Sequence, residues 1–357
     1  MSPTSSSKLS GLLGKRPVDA AFFTDPNDVF YLTRFPSTFL QVLVTRKKNY
    51  LITDMRYKLE VERRSDLMRD FELVIRTRAS VIDRLLHKAK IRAMLVDPES
   101  TTLRAFDDMK KRFPKVRFSG EAGLVKKLRL VKSEAEIRLI SEALGIAERS
   151  FSETLPVIKE GVTEREIRTE LEYRFFKNGA DKTAFDTIIA SGPNAAVPHA
   201  HVSDRIVRNG EMIIMDFGVC LGGYNSDITR TVFLGKPPRL YVKRYDTIRA
   251  AMTAAEDKIR AGMSASEADA VSRKYLKKRK LDRYFTHSLG HGVGVEIHEG
   301  PALNPSSKEK LEKGMVVTIE PGIYIKDWGG IRIEDMVVIG EKKSKLLTRF
   351  PSDIIVL

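Results

Sequence analysis

Cysteine is almost absent from this 357-residue chain, in which Cys220 is the only one. A single thiol cannot form an internal disulfide, and it cannot build a cysteine-based zinc site. Any metal ion bound by this protein must therefore be held by oxygen and nitrogen ligands.

Long apolar runs are also lacking. No segment approaches the roughly 18 apolar residues of a membrane-spanning helix, and residues 1–7 lack the apolar stretch of a secretory signal. We therefore predict a cytoplasmic protein without membrane contact. Since 42% of the 357 residues are hydrophobic, the chain is globular, and its length favours two domains.

Acidic residues are outnumbered, since 62 Lys and Arg face 47 Asp and Glu and give a formal net charge of +15. Such an excess would suit a nucleic-acid-binding protein, because basic side chains that neutralise phosphates release counterions. The basic residues are scattered in short clusters such as residues 277–280, without interleaved aromatic residues or a recognisable reading helix. We therefore interpret them as a solvated basic surface and expect no specific nucleic-acid binding.

The N-terminal part alternates between strand-like and helix-like segments. Strands are predicted over residues 18–23, 40–44, 50–53 and 93–96, and helices around 57–64, 81–88 and from about 102. This pattern predicts an α/β domain over residues 1–128, with residues 1–12 flexible. Asp54, His87 and Asp97 are isolated in it, and such residues are typical of caps and turns rather than of catalysis.

An α+β domain is predicted over residues 129–357. Its first two helices begin with capping boxes, in which Ser133 precedes Glu136 and Thr163 precedes Glu166 by three residues. Further helices are predicted over 240–260 and 266–278. Strands are predicted over residues 316–320 and 331–338, and strands over 212–218 and 229–234 flank two glycines and predict a β-hairpin.

Four carboxylates lie on strands of this second domain. Asp216 and Glu320 end apolar strands, Glu334 lies inside a third, and Asp227 lies on the partner strand of the hairpin. Each alone is more typical of a turn or an exposed position. Together they indicate a site, because carboxylates in such places are rarely buried unless they are paired or bound to metal.

His291 is the candidate nitrogen ligand, and it lies in a glycine-rich turn at residues 290–294. A phosphate-binding loop is the competing interpretation, but the segment lacks the Walker lysine and the strand-to-helix setting. Four clustered carboxylates would repel one another unless about four positive charges compensated them. Two divalent ions do so, and one imidazole with four carboxylates suits Mn, Co, Fe or Zn.

Seven sequence blocks are spread across the C-terminal half, namely Pro198-His199, Met215-Asp216-Phe217-Gly218, Ser226-Asp227-Ile228-Thr229-Arg230-Thr231, His287-Ser288-Leu289-Gly290-His291-Gly292-Val293-Gly294, Glu296-Ile297-His298-Glu299, Thr318-Ile319-Glu320-Pro321-Gly322-Ile323-Tyr324 and Gly330-Ile331-Arg332-Ile333-Glu334-Asp335. In content and order they closely resemble the motifs of the pita-bread metallopeptidases that cleave Xaa-Pro bonds. The N-terminal half resembles the smaller creatinase-like α/β domain of that family, through Asp19-Ala20, Tyr31-Leu32-Thr33 and Asp54-Met55-Arg56-Tyr57. The resemblance implies a pita-bread catalytic domain over residues 129–357.

The resemblance also implies a ligand set for two divalent metal ions per subunit. In it Asp216 chelates one metal ion, His291 and Glu320 bind the other, and Asp227 and Glu334 bridge both. A water shared by two such ions becomes hydroxide near neutral pH and can attack the scissile carbonyl. Glu320 is then the ligand expected to take and return the proton.

Further residues receive roles from the same resemblance. His199 and His298 are expected beside the substrate, His287 near the pocket for proline, and Tyr324 in the pocket lining. Arg332 lies two residues before Glu334, so on one continuous strand both side chains would share a face and the guanidinium could orient a ligand carboxylate. His201 departs from the family pattern, and we treat it as incidental.

These residues predict a dinuclear metal-dependent exopeptidase that cleaves the bond between an N-terminal residue and a following proline. An aminopeptidase P is slightly favoured, and a Xaa-Pro dipeptidase, or prolidase, is the alternative. Methionine aminopeptidases share the ligand set but lack this N-terminal domain. A non-catalytic binding module on the same fold is a distant alternative, and the resemblance also suggests a homodimer.

Overall fold

The computed structural model describes Leu9, residues 11–78 and residues 80–357. The chain divides into two compact units, Met1–Arg129 and Leu130–Leu357. Of the segment predicted to be flexible, residues 1–8 and 10 lie outside the described part, while Leu9 and Leu12 are buried. No helix in the described residues is both long enough and apolar enough to cross a membrane.

The first unit is built on a six-stranded mixed sheet in the order β4-β3-β2-β1-β5-β6. Its strands are β1 Ala20–Phe23, β2 Leu40–Thr45, β3 Asn49–Thr53, β4 Phe71–Ile75, β5 Ala93–Val96 and β6 Arg117–Gly120. Its helices are α1 Pro26–Thr33, α2 Lys58–Glu62, α3 Ser65–Asp70, α4 Ser80–Lys88, α5 Leu103–Arg112 and α6 Leu124–Leu130. Strand β2 is antiparallel to both β1 and β3, whereas β5 is parallel to β1. Strands β1, β3 and β5 therefore run in the same direction.

Two of the isolated acids of this unit have the turn roles expected of them. Asp54 Oδ1 accepts from the backbone N–H of Arg56, and Asp97 Oδ1 accepts from that of Glu99. The α/β prediction for this half is thus confirmed in class and, within a few residues, in its element bounds.

The second unit begins with two helices, α7 Glu134–Thr154 and α8 Glu164–Lys177. Both predicted capping boxes are present, so Ser133 and Thr163 each accept from the backbone N–H of the glutamate that follows three residues later. Helices α9 Arg239–Lys258 and α10 Ala265–Lys277 come later, and short 3-10 turns occur at Leu155–Val157, Gly192–Ala196 and Asp282–Tyr284.

Four small sheets complete this unit. Their strands are β7 Lys182–Thr183, β8 Ile188–Ser191, β9 Met212–Phe217, β10 Val219–Leu221, β11 Tyr224–Asn225, β12 Ile228–Phe233, β13 Gly290–Gly292, β14 Glu299–Leu303, β15 Val316–Ile319, β16 Gly322–Ile325, β17 Gly329–Arg332, β18 Asp335–Val338, β19 Lys345–Leu346 and β20 Ile355–Val356. The sheet orders are β11-β10-β7, β20-β12-β9-β8, β14-β13-β15-β18-β19 and β16-β17. Helices α9 and α10 pack against each other and contribute Tyr245, Ile248, Met252 and Ala268 to the large core of this unit.

The predicted hairpin forms, with β9 antiparallel to β12, whereas the continuous strand predicted over residues 331–338 is wrong. The chain leaves β17, which pairs with β16, and enters β18, which pairs with β15 in another sheet. Ile333 and Glu334 lie between these strands. Glu334 is therefore placed at a change of sheet rather than inside a strand.

Candidate metal centre

The hairpin of β9 and β12 positions two of the predicted acids. Asp216 on β9 faces Thr229 on β12, and Asp227 directly precedes β12. Both carboxylates line one cavity of about 290 Å³. The Asp227 residue is 4% exposed, so its carboxylate needs a compensating partner.

Glu334 reaches the same cavity from the change of sheet between β17 and β18. Its backbone N–H donates to the carbonyl of Thr229 at 3.1 Å, and its carbonyl accepts from Arg230 Nη1 at 2.6 Å. Both backbone groups are therefore anchored to the hairpin strand. The side chain is held toward Asp216 and Asp227 by this anchoring.

His291 and Glu320 come from neighbouring strands of the five-stranded sheet. His291 is the middle residue of β13, and Glu320 follows the last residue of β15. The backbone N–H of Glu320 donates to the carbonyl of Leu289 at 2.8 Å, which aligns the two side chains at one end of the pair.

The glycines beside His291 serve strand packing, so the glycine-rich turn predicted there is wrong. A Cβ atom on Gly290 would lie 2.0 Å from the carbonyl oxygen of Thr318, and one on Gly292 would lie 2.0 Å from that of Gly300. No side chain fits at either position. The segment is a strand, and this also removes the phosphate-loop interpretation.

The five predicted ligands are brought together. Asp227, His291 and Glu334 each offer a donor atom within 4.8 Å of the other two. The Nε2 atom of His291 lies 3.5 Å from Asp227 Oδ2 and 3.6 Å from Glu320 Oε1. Asp216 lines the same cavity as these four.

The tautomer of His291 follows from its hydrogen bond. Nδ1 lies 3.1 Å from the carbonyl oxygen of Gly292, which can only accept, so Nδ1 carries the proton. Burial lowers the pKa of His291 to about 4, so the ring is neutral and Nε2 keeps its lone pair. A lone pair that faces two carboxylates has no proton to share, and a cation between them would satisfy all three groups.

The charges of the protein alone leave this cluster unbalanced. Burial raises the pKa of Asp227, Glu320 and Glu334, and the negative charges of neighbouring carboxylates raise it further. The nearby guanidinium of Arg332 acts in the opposite direction. In addition, Glu334 Oε1 is buried and has no hydrogen-bond partner among the described residues. This donor set fits divalent metal ions, whose charge would compensate the carboxylates.

Three histidines that are not predicted ligands also line the cavity, namely His199, His287 and His298. The His298 ring lies 4.3 Å from the His291 ring, centroid to centroid, and both His298 and His199 are exposed to solvent. They can therefore meet a substrate that enters. His201 is exposed and is not among the residues that line this cavity.

A chain of hydrogen bonds runs from His287 to Asp216. The Nδ1 atom of His287 donates to the carbonyl of Ser288 at 2.8 Å, so Nε2 accepts from the hydroxyl of Tyr324 at 2.9 Å. Arg332 Nη1 donates to that hydroxyl at 2.7 Å, and Arg332 Nη2 donates to Asp216 Oδ2 at 2.5 Å. Burial lowers the pKa of His287 to about 3 and raises that of Tyr324 to about 12, so neither ionises near neutral pH.

These hydrogen bonds give Arg332 and Tyr324 partners that differ in detail from those expected from the sequence. Arg332 bonds the carboxylate of Asp216, which lies on β9 of a different sheet, and not that of Glu334. Tyr324 is buried behind the cavity and reaches His287 and Arg332 through its hydroxyl, while its ring is not among the lining groups.

Thr229 is a functional residue that the sequence analysis overlooked, since it was quoted as part of the 226–231 motif without a function of its own. Its hydroxyl donates to Glu334 Oε2 at 2.7 Å and accepts from Arg332 Nε at 3.1 Å. It therefore fixes the orientation of one carboxylate and one guanidinium at the same time. Its position two residues after Asp227 was the available signal, since alternate residues of a strand share a face.

Lys132 and Glu299 were also overlooked. Lys132 Nζ lies 2.7 Å from Glu299 Oε1, and their side chains are 1% and 7% exposed. Glu299 directly follows His298, so this buried ion pair ties the segment that carries His298 to the residue preceding the capping box of α7. A lysine at a domain boundary gives no signal in a single sequence that it is buried.

Comparisons with known proteins accord with this geometry. Residues 138–341 match the family described as Metallopeptidase family M24, and residues 6–131 match the Creatinase/Prolidase N-terminal domain. The chain belongs to the M24 metallopeptidase family. Membership confirms the pita-bread catalytic fold with a creatinase-like N-terminal domain, the prediction of a metallo-exopeptidase and the use of divalent metal ions.

Individual M24 metallopeptidases resemble this chain over most or all of its length. A Xaa-Pro dipeptidase of Pyrococcus furiosus is 42% identical over 65% of this chain and 67% of its own length. A solved Xaa-Pro dipeptidase from Bacillus anthracis superposes with a TM-score of 0.93 at 34% identity, covering 99% of this chain and all of that one. An X-Pro aminopeptidase from Thermotoga maritima superposes with a TM-score of 0.92 at 34% identity, covering 99% of both chains.

Proposed function

We propose that this chain is a dinuclear metal-dependent Xaa-Pro dipeptidase. The arrangement of His291 supports metal binding most directly, because its unprotonated Nε2 faces Asp227 and Glu320 at 3.5 and 3.6 Å. The names of its relatives support the dipeptidase better than the aminopeptidase P that the sequence alone slightly favoured. Both activities cleave the bond before proline.

We assign the ligands as the sequence predicted. Asp216 would hold one ion, His291 and Glu320 the other, and Asp227 and Glu334 would bridge them. Divalent ions at this site would lower the pKa of a bound water and polarise the scissile carbonyl. The four carboxylates and one imidazole line a single cavity, and this donor set suits Mn, Co, Zn or Fe without distinguishing among them.

Proton transfer falls to Glu320. It takes a proton from the attacking water and returns it to the proline nitrogen, which is too basic to leave as an anion. His298 and His199 reach the solvent-exposed side of the cavity and donate hydrogen bonds to the backbone and carbonyl oxygen of the substrate. His287 is neutral and bordered by Phe285 at 5.1 Å, an apolar setting that suits a proline ring.

A dipeptide also brings a free carboxylate that must be received. Among the described residues that line the cavity, the single guanidinium is that of Arg332, and its nitrogens already bond Asp216, Tyr324, Thr229 and the Pro198 carbonyl. We therefore assign the carboxylate to the exposed imidazoles of His199 and His298.

Turnover of three substrates tests the dipeptidase assignment. With the Mn-loaded or Co-loaded enzyme, kcat/KM for Ala-Pro should exceed that for Ala-Pro-Ala and for Ala-Pro amide, which lacks the carboxylate. Faster cleavage of the tripeptide would identify an aminopeptidase P instead, and no cleavage of any of them would refute the exopeptidase with this specificity.

A pair of variants tests how the carboxylate is received. His199→Asn should raise KM for Ala-Pro at least tenfold more than it raises KM for Ala-Pro amide, because the amide keeps the backbone contacts of His199 and lacks only the carboxylate. His201→Asn is the matched control, because His201 is exposed and lies outside the cavity lining, and it should change neither value. If His199→Asn and His201→Asn changed KM for Ala-Pro equally, the assignment of the carboxylate to His199 would be contradicted.

Metal analysis tests the ligand assignment separately from the activity. The purified chain should bind about two equivalents of a divalent ion, and Asp216→Asn should bind about one. A chain that binds no metal and instead binds nucleic acid in a salt-sensitive manner would support the non-catalytic module. The homodimer and the cytoplasmic location stay predictions. Light scattering on the purified protein would check the homodimer.

A further inference from the structure

A second cavity, of about 350 Å³, lies wholly within the first unit. It opens between one face of the six-stranded sheet and helices α4 and α5. The sheet contributes Phe22, Leu43 and Ile52, and the helices contribute Leu86 and Met109. None of these residues belongs to the candidate metal centre, and the peptidase chemistry gives the cavity no task.

The cavity lies at the carboxyl ends of three strands that run in the same direction. Phe22 and Thr24 are at the end of β1, Ile52 is near the end of β3, and residues 100–102 follow β5. In open α/β sheets this edge is where ligands are bound, because the loops that follow the strands diverge there and leave a crevice.

The apolar side chains of helix α5 support the interpretation that a ligand occupies this cavity. Ala105, Met109 and Phe113 follow one another at intervals of four residues and line the cavity, yet no residue of α5 is buried. An amphipathic helix of a globular domain normally buries such a stripe against the core. Here the stripe faces a cavity, and its apolar surface would be covered by a bound molecule.

Several polar side chains also line the cavity, and the carboxylate among them, that of Asp108, is 65% exposed and lies 4.0 Å from Arg104. Gln41 Oε1 is buried and has no hydrogen-bond partner among the described residues, and Gln41 lines the cavity. The guanidinium of Arg76 also lines it and has no carboxylate within ion-pair distance in the described part of the chain. Its packing partner is the ring of Phe39, at 5.6 Å. Arg112, on the opposite wall, is already paired with Asp83 at 3.1 Å.

We propose that this cavity is a binding site for a small aromatic carboxylate that carries one hydrogen-bond donor. The aromatic body would fill the space between the sheet and α5, the donor would bond Gln41 Oε1, and the carboxylate would pair with Arg76. A cavity of this volume falls in the range that accommodates small-molecule ligands, which are held by mostly apolar walls and a few polar groups.

Three related probes test the chemistry of the site. Indole-3-acetate has the aromatic body, the N–H donor and the carboxylate; indole-3-acetamide lacks the charge, and 1-naphthylacetate lacks the donor. By isothermal titration, indole-3-acetate should bind at least tenfold more tightly than either analogue. In Arg76→Gln the advantage over the acetamide should disappear, and in Gln41→Leu the advantage over naphthylacetate should disappear.

A matched pair of tryptophan substitutions tests the location. Ala105→Trp places an indole in the cavity and should weaken binding of indole-3-acetate at least tenfold. Leu103→Trp is the control on the same helix, since Leu103 is 85% exposed and lies outside the lining, and it should leave affinity unchanged. Thermal unfolding of both variants checks that each one folds.

The site is independent of the proposed peptidase function, and a third variant separates the two. Asp216→Asn alters the candidate metal centre and should leave binding of indole-3-acetate unchanged. The proposal is overturned if no binding is detected at millimolar probe, if Ala105→Trp and Leu103→Trp bind the probe equally well, or if Asp216→Asn abolishes binding.

Discussion

The guanidinium of Arg332 bonds the carboxylate of Asp216, with Nη2 2.5 Å from Oδ2, and both side chains are largely buried. The same guanidinium donates to Tyr324, Thr229 and the carbonyl of Pro198. A planar fork with several fixed donors can satisfy all four at once, which an ammonium group cannot. Arg332 therefore sets the orientation in which Asp216 would meet a metal ion.

Substitution of Arg332 should weaken metal binding without removing a ligand. Arg332→Lys keeps the charge and loses the fork, so we expect metal affinity to fall about 10-fold to 100-fold, the range typical of residues that orient metal ligands. Arg332→Gln should cost at least as much. Competition with a metal-sensitive dye measures both, and wild-type affinity in Arg332→Lys would show that only the charge matters.

The hydroxyl of Thr229 should matter for the metal centre, whereas its methyl group should not. Thr229→Val keeps the shape and removes the donor to Glu334 Oε2, so metal affinity should fall about tenfold or more. Thr229→Ser retains the hydroxyl and is the matched control. If the serine and valine variants bind metal equally, the hydrogen bond to Glu334 has no role in orienting it.

The buried ion pair of Lys132 and Glu299 should be sensitive to the loss of one partner. Lys132→Met removes the cation that compensates the buried carboxylate of Glu299, which should lower the free energy of unfolding by about 3–5 kcal/mol. Adding Glu299→Gln removes the buried charge and should restore part of that loss. Denaturant unfolding of the single and double variants measures both effects, and equal stability of the two would argue against the uncompensated buried charge as the cause.

Glu256 should make stability depend on pH. The pKa of Glu256 is raised from its ordinary value of 4.5 to about 8. Burial is the larger cause, and the nearby negative charge of Asp335 is the second. The folded state therefore holds a proton that the unfolded state has released. The contribution to stability is fully present below about pH 4.5 and is lost as the pH rises through about 8.

The amide of Glu256→Gln imitates the protonated acid and cannot ionise. The variant should match the wild-type melting temperature near pH 5 and exceed it by several degrees at pH 9, since about 1 kcal/mol shifts the melting temperature by a few degrees. Thermal unfolding across this pH range is the measurement. A constant difference between the two proteins at every pH would refute the role of Glu256 ionisation.

Local features of the sequence determined a large part of this structure. The capping boxes at Ser133 and Thr163 depend on contacts within four residues, and both form as predicted. The hairpin of β9 and β12 and the α/β class of the first unit also follow from periodicity and short connections. The candidate ligands could be named because acids and a histidine on apolar strands are uncommon unless they share a site.

Tertiary structure alone decided the remaining relationships, because they join residues far apart in the chain. Alternation of residues 331–338 predicted one strand, but pairing of β17 with β16 and of β18 with β15 breaks it at Ile333 and Glu334. For the same reason, the bond between Arg332 and Asp216 could not be derived from their spacing, and neither could the role of Thr229. The sequence named the candidate donor groups of the proposed metal centre, whereas strand pairing determined which of them meet and which atoms they present.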